Sequence, residues 1–196
     1  MSQHSARVVL VAGPSGSGKS YIASRTGLPI LCLDDFYKNS GDPSLPWRGA
    51  AIDWDSPDAW DGDAAMIAIE ELAKTGTAEV PAYSISANRA IGNRTVTIGD
   101  SHLFIAEGIF AAEIAQWCQE LGLLATAYAL HRPRPITFVR RLTRDLAEHR
   151  KPAGVLIRRG VTLYRTDREV LARQVALGCV PANGRQIRRA VSNMPA

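Results

Sequence analysis

The chain is poor in cysteine, in aromatic residues and in long hydrophobic runs. Its three cysteines, Cys32, Cys118 and Cys179, are far apart and odd in number, which is typical of reduced core thiols and argues against a disulfide framework or a zinc site. Apolar runs such as residues 8–12 fall far short of the ~20 residues that a membrane helix needs. The first residues lack the basic and apolar regions of a signal peptide. We therefore expect a cytoplasmic protein with no membrane partner.

The rest of the composition is typical of a folded globular chain. Hydrophobic residues make up 46% of the 196 residues and charged residues 21%, values that exclude disordered, coiled-coil and collagen-like proteins. The net charge of +4 is unevenly spread, because residues 1–129 carry a net charge of −7 and residues 130–196 a net charge of +11. The basic part either binds an anionic partner, such as nucleic acid or phosphate, or it interacts with the acidic part of its own chain.

Apolar runs alternate with helical patterns along the chain. Buried strands are predicted at residues 7–12, 29–34, 102–106 and 123–130, and helices at 18–25, 56–74, 110–121, 136–150 and 153–177. Short β segments at 78–83 and 95–98 predict a small hairpin, and the tail from Gly178 is left unassigned. The alternation predicts an α/β fold with a doubly wound, mainly parallel sheet of about five strands, whose ligands lie beyond the carboxyl ends of the strands.

The segment after the first strand fits the phosphate-binding pattern G-x-x-x-x-G-K-[ST]. It consists of Gly13, Pro14, Ser15, Gly16, Ser17, Gly18, Lys19 and Ser20, and Tyr21 follows. In this pattern glycines let successive backbone N–H groups surround phosphate oxygens. Lys19 would reach the β- and γ-phosphates and the Ser20 hydroxyl would bind Mg²⁺, so the predicted cofactors are ATP and Mg²⁺. The alternative is a flexible turn that only joins strand to helix.

Acidic residues stand at the ends of two other predicted strands. Asp34 and Asp35 end the second strand, where a carboxylate could accept the proton of a substrate hydroxyl, or where both acids could simply cap the strand. Glu107 ends the third strand and is a candidate ligand or orienter of Mg²⁺, the alternative being an exposed loop acid. Asp55 precedes a helix, and it either caps that helix or holds a sugar diol by two hydrogen bonds.

A dense basic stretch runs from residue 140 to residue 151. Arg140 and Arg144 share one face of the predicted helix, with Arg141 beside them. A mobile lid whose guanidinium groups stabilise the transition-state charge of a triphosphate is favoured over a solvated helix face and over a nucleic-acid stripe. Nucleic acid is disfavoured further because the acidic loops around the presumed acceptor pocket would repel a polyanion.

Taken together, these motifs resemble the uridine kinase and phosphoribulokinase family of P-loop kinases, and uridine kinases most of all. The similarity extends over residues 7–151 in six ordered blocks. The blocks are the loop at 13–20, LDDFYK at 33–38, DSPDAWD at 55–61, VPAY at 80–83 with Arg89, IAEGI at 105–109 and RRLTRD at 140–145. The second and third blocks are much more specific than the loop, which many families share.

The resemblance implies a single P-loop kinase domain over residues 1–196, with an Arg-rich helical lid at about 134–155. It implies transfer of the ATP γ-phosphate to a primary hydroxyl, above all the 5′-hydroxyl of uridine or cytidine. One alternative is a kinase whose acceptor is a sugar phosphate or a vitamin alcohol. The other is an ATP-binding regulator that is not a kinase. The implied catalytic residues are Lys19, Asp34, Arg141 and Arg144, the substrate-binding residues are Asp34, Tyr37, Asp55, Tyr83 and Arg89, and the metal ligands are Ser20 and Glu107.

The sequence departs from the family pattern in the region that contacts the acceptor. Residues 84–88 contain no histidine, although the family has one there that helps to read a pyrimidine base. The usual R-G-R ending of the lid is replaced by residues 149–151, His-Arg-Lys. The expected partner is a small-molecule acceptor, which the resemblance implies is a nucleoside. The sequence does not decide whether the chain forms a homo-oligomer.

Overall fold

The structure is a computed structural model that describes residues 6–133, Pro135, Thr137 and residues 168–194. Its strands are β1 Arg7–Ala12, β2 Ile30–Cys32, β3 Trp47–Arg48, β4 Ala51–Ile52, β5 Thr77–Ser84, β6 Arg89–Thr97, β7 Leu103–Gly108, β8 Leu124–Leu130 and β9 Val180–Ala182. Its helices are α1 Lys19–Ser24, α2 Gly62–Thr75, α3 Ala115–Glu120, α4 with residues 168–176 described, and α5 Gly184–Ser192. Short 3₁₀ helices span Leu33–Phe36, Pro57–Ala59 and Ala111–Ile114.

Five of the described strands form the main sheet, in the order β2-β7-β1-β8-β9, and every pairing among them is parallel. The sheet confirms the predicted α/β fold. β1 lies in the middle, and its residues from Val8 to Ala12 are fully buried, because both faces of a parallel sheet are covered. Successive side chains of β1 point to opposite faces, so Val8 and Leu10 pack with α2 and α3, whereas Val9 and Val11 pack with α1 and α5. Helices on both faces make the sheet doubly wound.

The predicted hairpin is present as a separate two-stranded antiparallel sheet of β5 and β6. Its ladder runs from Thr77 opposite Thr97 to Ser84 opposite Arg89, so the second strand begins earlier than predicted. Residues 91–95 of β6 are all exposed, so the sequence there does not alternate between apolar and polar residues. Without that alternation the first part of the strand could not be predicted.

The helix predicted to begin at Ser56 begins instead at Gly62. The Ser56 hydroxyl does accept a hydrogen bond from the Asp58 N–H, at 3.3 Å, but it caps only a 3₁₀ turn. The chain then straightens at Trp60, whose buried indole N–H donates to the Leu33 carbonyl at 2.7 Å. Asp61 caps α2 by accepting from the Ala64 N–H at 2.9 Å. A tertiary contact therefore divides the predicted helix.

Other predicted elements differ at their ends. The second strand stops at Cys32, and the next residues form a 3₁₀ turn, while the helix predicted at 110–121 is a 3₁₀ turn followed by α3. The unassigned tail contributes β9 and α5, which an Asn183–Gln186 capping box begins.

The predicted lid at 134–155, with Arg141 and Arg144, lies outside the described residues apart from Pro135 and Thr137. Of the helix predicted at 153–177, residues 168–176 are described and are helical. Among the described residues, no helix is both long and apolar enough to cross a membrane.

Candidate phosphate-binding and catalytic site

The loop between β1 and α1 has the backbone shape that its glycines permit. Gly16 and Gly18 have φ values of 84° and 92°, in the left-handed region that residues with a side chain rarely adopt. A Cβ at Gly13 would lie 3.0 Å from the Leu130 carbonyl oxygen, so the loop packs directly against the end of β8. The predicted phosphate-binding segment therefore lies at the carboxyl edge of the sheet.

Lys19 is held inside this loop. Its side chain is buried, and Nζ donates to the Gly13 carbonyl oxygen at 3.0 Å. A buried ammonium group beside backbone N–H groups favours an anion, because its charge is little screened by water. The loop thus offers one positive charge and a curved backbone to a ligand.

Ser20 of α1 and Glu107 of β7 form a hydrogen bond at the carboxyl end of the sheet, where β1 and β7 lie side by side. The Ser20 hydroxyl donates to Glu107 Oε1 at 2.6 Å, and Glu107 Oε2 is buried with no hydrogen-bond partner in the described part of the chain. Burial raises the pKa of Glu107, Asp34 and Asp35 raise it further, and the Lys19 charge and the Ser20 hydrogen bond oppose the shift. A buried carboxylate oxygen without a partner, next to a hydroxyl, is a suitable place for a hard cation.

Ser20 and Glu107 offer only a small number of oxygen atoms to a cation. Within residues 6–133 and 168–194, no three His, Cys, Asp or Glu side chains gather into a metal site. Mg²⁺ commonly takes only one or two protein ligands and completes its shell with phosphate oxygens and water. The Ser20 and Glu107 oxygens fit that mode of binding.

Asp34 and Asp35 stand on the 3₁₀ turn after β2, and their carboxylates have different partners. Asp34 Oδ1 accepts from the Ile109 N–H at 3.1 Å, just beyond β7. Asp35 Oδ2 forms an ion pair with Arg94 of β6 at 2.8 Å. A Cβ at Gly108 would lie 2.8 Å from Leu33 Cβ and 3.0 Å from Asp34 Oδ1, so only glycine allows β7 to approach this turn so closely. Asp34 is therefore held against the strand end that carries Glu107.

Tyr37 and Tyr83 lie together in a cluster of aromatic rings beside this turn. The Tyr37 ring lies 5.9 Å from the rings of Trp54 and Tyr83 and 5.8 Å from that of Phe110, centroid to centroid. The Tyr37 hydroxyl donates to the Trp54 carbonyl at 3.1 Å, and the Tyr83 hydroxyl donates to the Lys38 carbonyl at 3.3 Å. Partial burial raises the pKa of Tyr83. The cluster forms an apolar wall with polar groups at its edge.

Asp55, Arg89 and Tyr21 are the more exposed members of the predicted site. Asp55 directly follows Trp54 of the aromatic cluster, and its N–H donates to Asp53 Oδ1 at 3.3 Å. Arg89 is the first residue of β6. Its two neighbours in the sequence bind the loop at residues 39–40, since the Ala90 N–H donates to Asn39 Oδ1 and the Asn88 carbonyl accepts from the Ser40 N–H. Tyr21 is half exposed on α1, where the guanidinium group of Arg25 covers its ring at 5.3 Å.

Sequence reasoning missed three groups that surround Asp34 and Asp35. They are Arg94, the backbone N–H of Ile109, and Gln174 of α4, whose side chain donates to the Ile109 carbonyl oxygen at 3.2 Å. Arg94 and Gln174 belong to no motif, because each reaches the site from a distant part of the chain, and Ile109 ends the block at 105–109 but contributes backbone atoms that a motif does not reveal. Gly108 was the one available signal, since a glycine at a strand end marks a close approach.

A glycine-rich loop after the central strand of a doubly wound parallel sheet, with carboxylates on the neighbouring strand ends, defines the P-loop NTPase fold. The model of the phosphoribulokinase / uridine kinase family matches residues 8–152, about three quarters of the sequence. The chain belongs to this family of P-loop kinases, as its motifs predicted.

Individual relatives are distant. The uridine kinase of Schizosaccharomyces pombe is 32% identical over 149 residues, which are 71% of this chain but only 32% of that protein. The uridine kinase of Macrococcus caseolyticus is 26% identical over 165 residues, 81% of this chain and 78% of that protein.

Solved structures share the fold. A structure described as a putative fructose transport system kinase from Silicibacter sp. TM1040 superposes with a TM-score of 0.63 at 20% identity, covering 93% of this chain and 90% of that one. The phosphoribulokinase of Rhodobacter spheroides superposes with a TM-score of 0.51 at 17% identity, covering 89% of this chain and 68% of that one.

Proposed function

We propose that this chain transfers the γ-phosphate of ATP to a primary hydroxyl of a small molecule, and that the acceptor is the 5′-hydroxyl of uridine or cytidine. The observation that carries the proposal is the 2.6 Å contact of Ser20 with Glu107, which has buried Lys19 on one side and Asp34 on the next strand end. Groups suited to phosphate, cation and hydroxyl thus meet at one edge of the sheet. Family membership supports a kinase, and relatives named uridine kinase support the nucleoside.

The nucleotide side of the site consists of the loop from Gly13 to Ser20 and the start of α1, including Tyr21. Its backbone N–H groups and Lys19 bind the phosphates, while Ser20 and Glu107 hold the cation. Mg²⁺, when bound, neutralises charge on the phosphoryl group in transfer. Arg141 and Arg144 are proposed to bind the same phosphates from the lid.

On the acceptor side, Asp34 is proposed as the base that receives the hydroxyl proton. The Ile109 N–H fixes Oδ1, which leaves Oδ2 as the oxygen that takes the proton. Asp35 is a poorer candidate, because its carboxylate is paired with Arg94 of the hairpin, whereas the carboxylate of Asp34 contacts the end of β7, which carries Glu107. The two neighbouring acids are thereby given different roles.

The aromatic cluster and its neighbours are proposed to hold the acceptor. The rings of Tyr37 and Tyr83 suit stacking or edge contact with a flat base, and the Asp55 carboxylate suits two hydrogen bonds to a ribose diol. Arg89 is proposed to contact the acceptor from the hairpin. The lack of histidine in residues 84–88 is the observation that favours a different acceptor, a sugar phosphate or a vitamin alcohol.

The deciding experiment measures ADP release from Mg²⁺-ATP with a panel of ribonucleosides, deoxyribonucleosides, sugar phosphates and pantothenate. Turnover with uridine or cytidine is the expected result. Turnover with another acceptor alone would refute the nucleoside and keep the kinase. ATP binding without turnover on any acceptor would refute the kinase proposal in favour of an ATP-binding regulator.

Two matched variants test the assignment of the base. Asp34→Asn should bind ATP normally and lose turnover by a factor on the order of 10²–10⁴, because general-base catalysis contributes about that much. Asp35→Asn keeps the neighbouring carboxylate and should retain most of the turnover. The reverse pattern would assign the base to Asp35.

A further inference from the structure

Gln174 is a buried polar side chain that no motif of the family blocks includes. It lies on α4 and is only 2% exposed, although glutamine is seldom buried. Its Nε2 donates to the Ile109 carbonyl oxygen at 3.2 Å, while Oε1 is buried without a partner among the described residues. Since a buried amide oxygen without a donor destabilises the fold, packing alone does not explain a glutamine here.

The residue that Gln174 contacts is the one that holds Asp34. The Ile109 N–H donates to Asp34 Oδ1 at 3.1 Å, and its carbonyl oxygen accepts from Gln174. On the other side, Gly108 packs against Leu33 so closely that a Cβ would clash at 2.8 Å. The backbone at Ile109 is therefore fixed from two directions, and Gln174 supplies one of them.

A second contact on the same helix provides a comparison. Arg173 forms an ion pair with Glu113 at 2.9 Å, and the Arg173 side chain is 56% exposed. This pair attaches α4 to the 3₁₀ turn after Ile109, but it does not touch Ile109 itself. Exposed ion pairs of this kind contribute little to stability. Loss of the Arg173 contact therefore removes one attachment of α4 at little cost in stability and leaves the contact to the Ile109 carbonyl in place.

We infer that Gln174 is a positioning residue for phosphate transfer: by holding the Ile109 carbonyl it fixes the N–H that orients the Asp34 carboxylate. The inference rests on the proposed role of Asp34 as base. Gln174 acts through backbone atoms and does not reach the reacting groups. Helix α4, which follows the Arg-rich segment in the sequence, thereby helps to set the geometry at the acceptor hydroxyl.

The test replaces Gln174 by methionine, which has a similar length and no donor, with Arg173→Gln as the matched control. Turnover of Gln174→Met with uridine, or with the acceptor that the panel identifies, should fall by roughly 10–100-fold, because a small misplacement of a catalytic group costs about that much. The KM for ATP and the ATP hydrolysis without acceptor should change by less than about twofold, since both depend on the loop and not on Asp34. Arg173→Gln should remain close to the parent chain in all three.

A purely structural role would lower transfer and acceptor-free hydrolysis in proportion, and that result would overturn the inference. Gln174→Leu repeats the test if the methionine variant does not fold. The double variant with Asp34→Asn should turn over no more slowly than Asp34→Asn alone, and a further 10-fold loss would mean that Gln174 does not act through Asp34. Full turnover in Asp34→Asn would instead overturn the proposed base itself, and the inference with it.

Discussion

A single methyl group added at Gly108 should displace the turn that carries Asp34. The Cβ of alanine would lie 2.8 Å from Leu33 Cβ and 3.0 Å from Asp34 Oδ1. Two carbon atoms are in favourable contact at about 3.5 Å or more, so the turn has to move by roughly 0.7 Å. Gly108 is not among the glycines with positive φ, so alanine fits its backbone and the effect is purely steric.

The size of the effect follows from that displacement. Overpacking of a close contact destabilises a protein by about 1–3 kcal/mol, and for a chain of this size each kcal/mol lowers Tm by about 2–4 °C. A catalytic group misplaced by about 1 Å costs on the order of 10²-fold in rate. Gly108→Ala should therefore lose roughly 10–100-fold in turnover, while the loop from Gly13 to Ser20 still binds ATP.

Gly41→Ala is the matched control for this variant. No atom lies within 4 Å of a Cβ at Gly41, and its φ is not positive. Both variants are compared by ADP release, by ATP binding and by thermal unfolding. If Gly108→Ala matches Gly41→Ala in turnover and in Tm, the close approach of β7 to the Asp34 turn has no mechanical importance and the reasoning fails.

Two further predictions concern titrating groups. Glu107→Gln should raise Tm at neutral pH, and this gain should disappear in acid. Burial raises the pKa of Glu107, so the native parent protein binds the proton more tightly than the unfolded chain does. The stability of the parent protein therefore falls as the pH rises through the raised pKa, whereas the glutamine variant has no such loss. Thermal unfolding of the parent protein and of Glu107→Gln, from acid to neutral pH, checks this. A Tm gain that is larger in acid than at neutral pH would contradict it. Burial raises the pKa of Cys32 and Cys118 to about 12 and of Cys179 to about 11, so native thiols should resist alkylation at about pH 8. Mass spectrometry checks this, and fast labelling without denaturant would contradict it.

Much of the fold was predictable because its signals are local. The run from Val8 to Ala12 is apolar throughout, and the glycines at 16 and 18 stand where the backbone turns left-handed. Capping residues and strand-end acids are local patterns of the same kind. Such patterns placed Lys19, Ser20 and Glu107 correctly at one edge of the sheet, where the structure brings them together.

The features that the sequence did not predict depend on contacts between distant residues. The start of α2 shifts because the Trp60 indole bonds to Leu33, and Ser56 and Asp61 are equally good caps until that contact is known. The partners of Asp35 and of Ile109, Arg94 and Gln174, carry no local pattern for the same reason. The sequence patterns identified the candidate site residues but not the groups that hold them in place.

The order of strands in the sheet also bears on how the chain acquires its structure. β1 precedes both of its partners in the sequence by a long stretch, since Arg7 pairs with Leu103 and Val8 with Leu124. Among the described strands, the central strand therefore has no neighbour until residue 103 has been synthesised, and its apolar surface is exposed during that time. Parallel pairing over such sequence distances is slow and exposes the chain to aggregation. A ribosome-bound chain that stops short of β7 should thus be a client for chaperones rather than a partly formed domain.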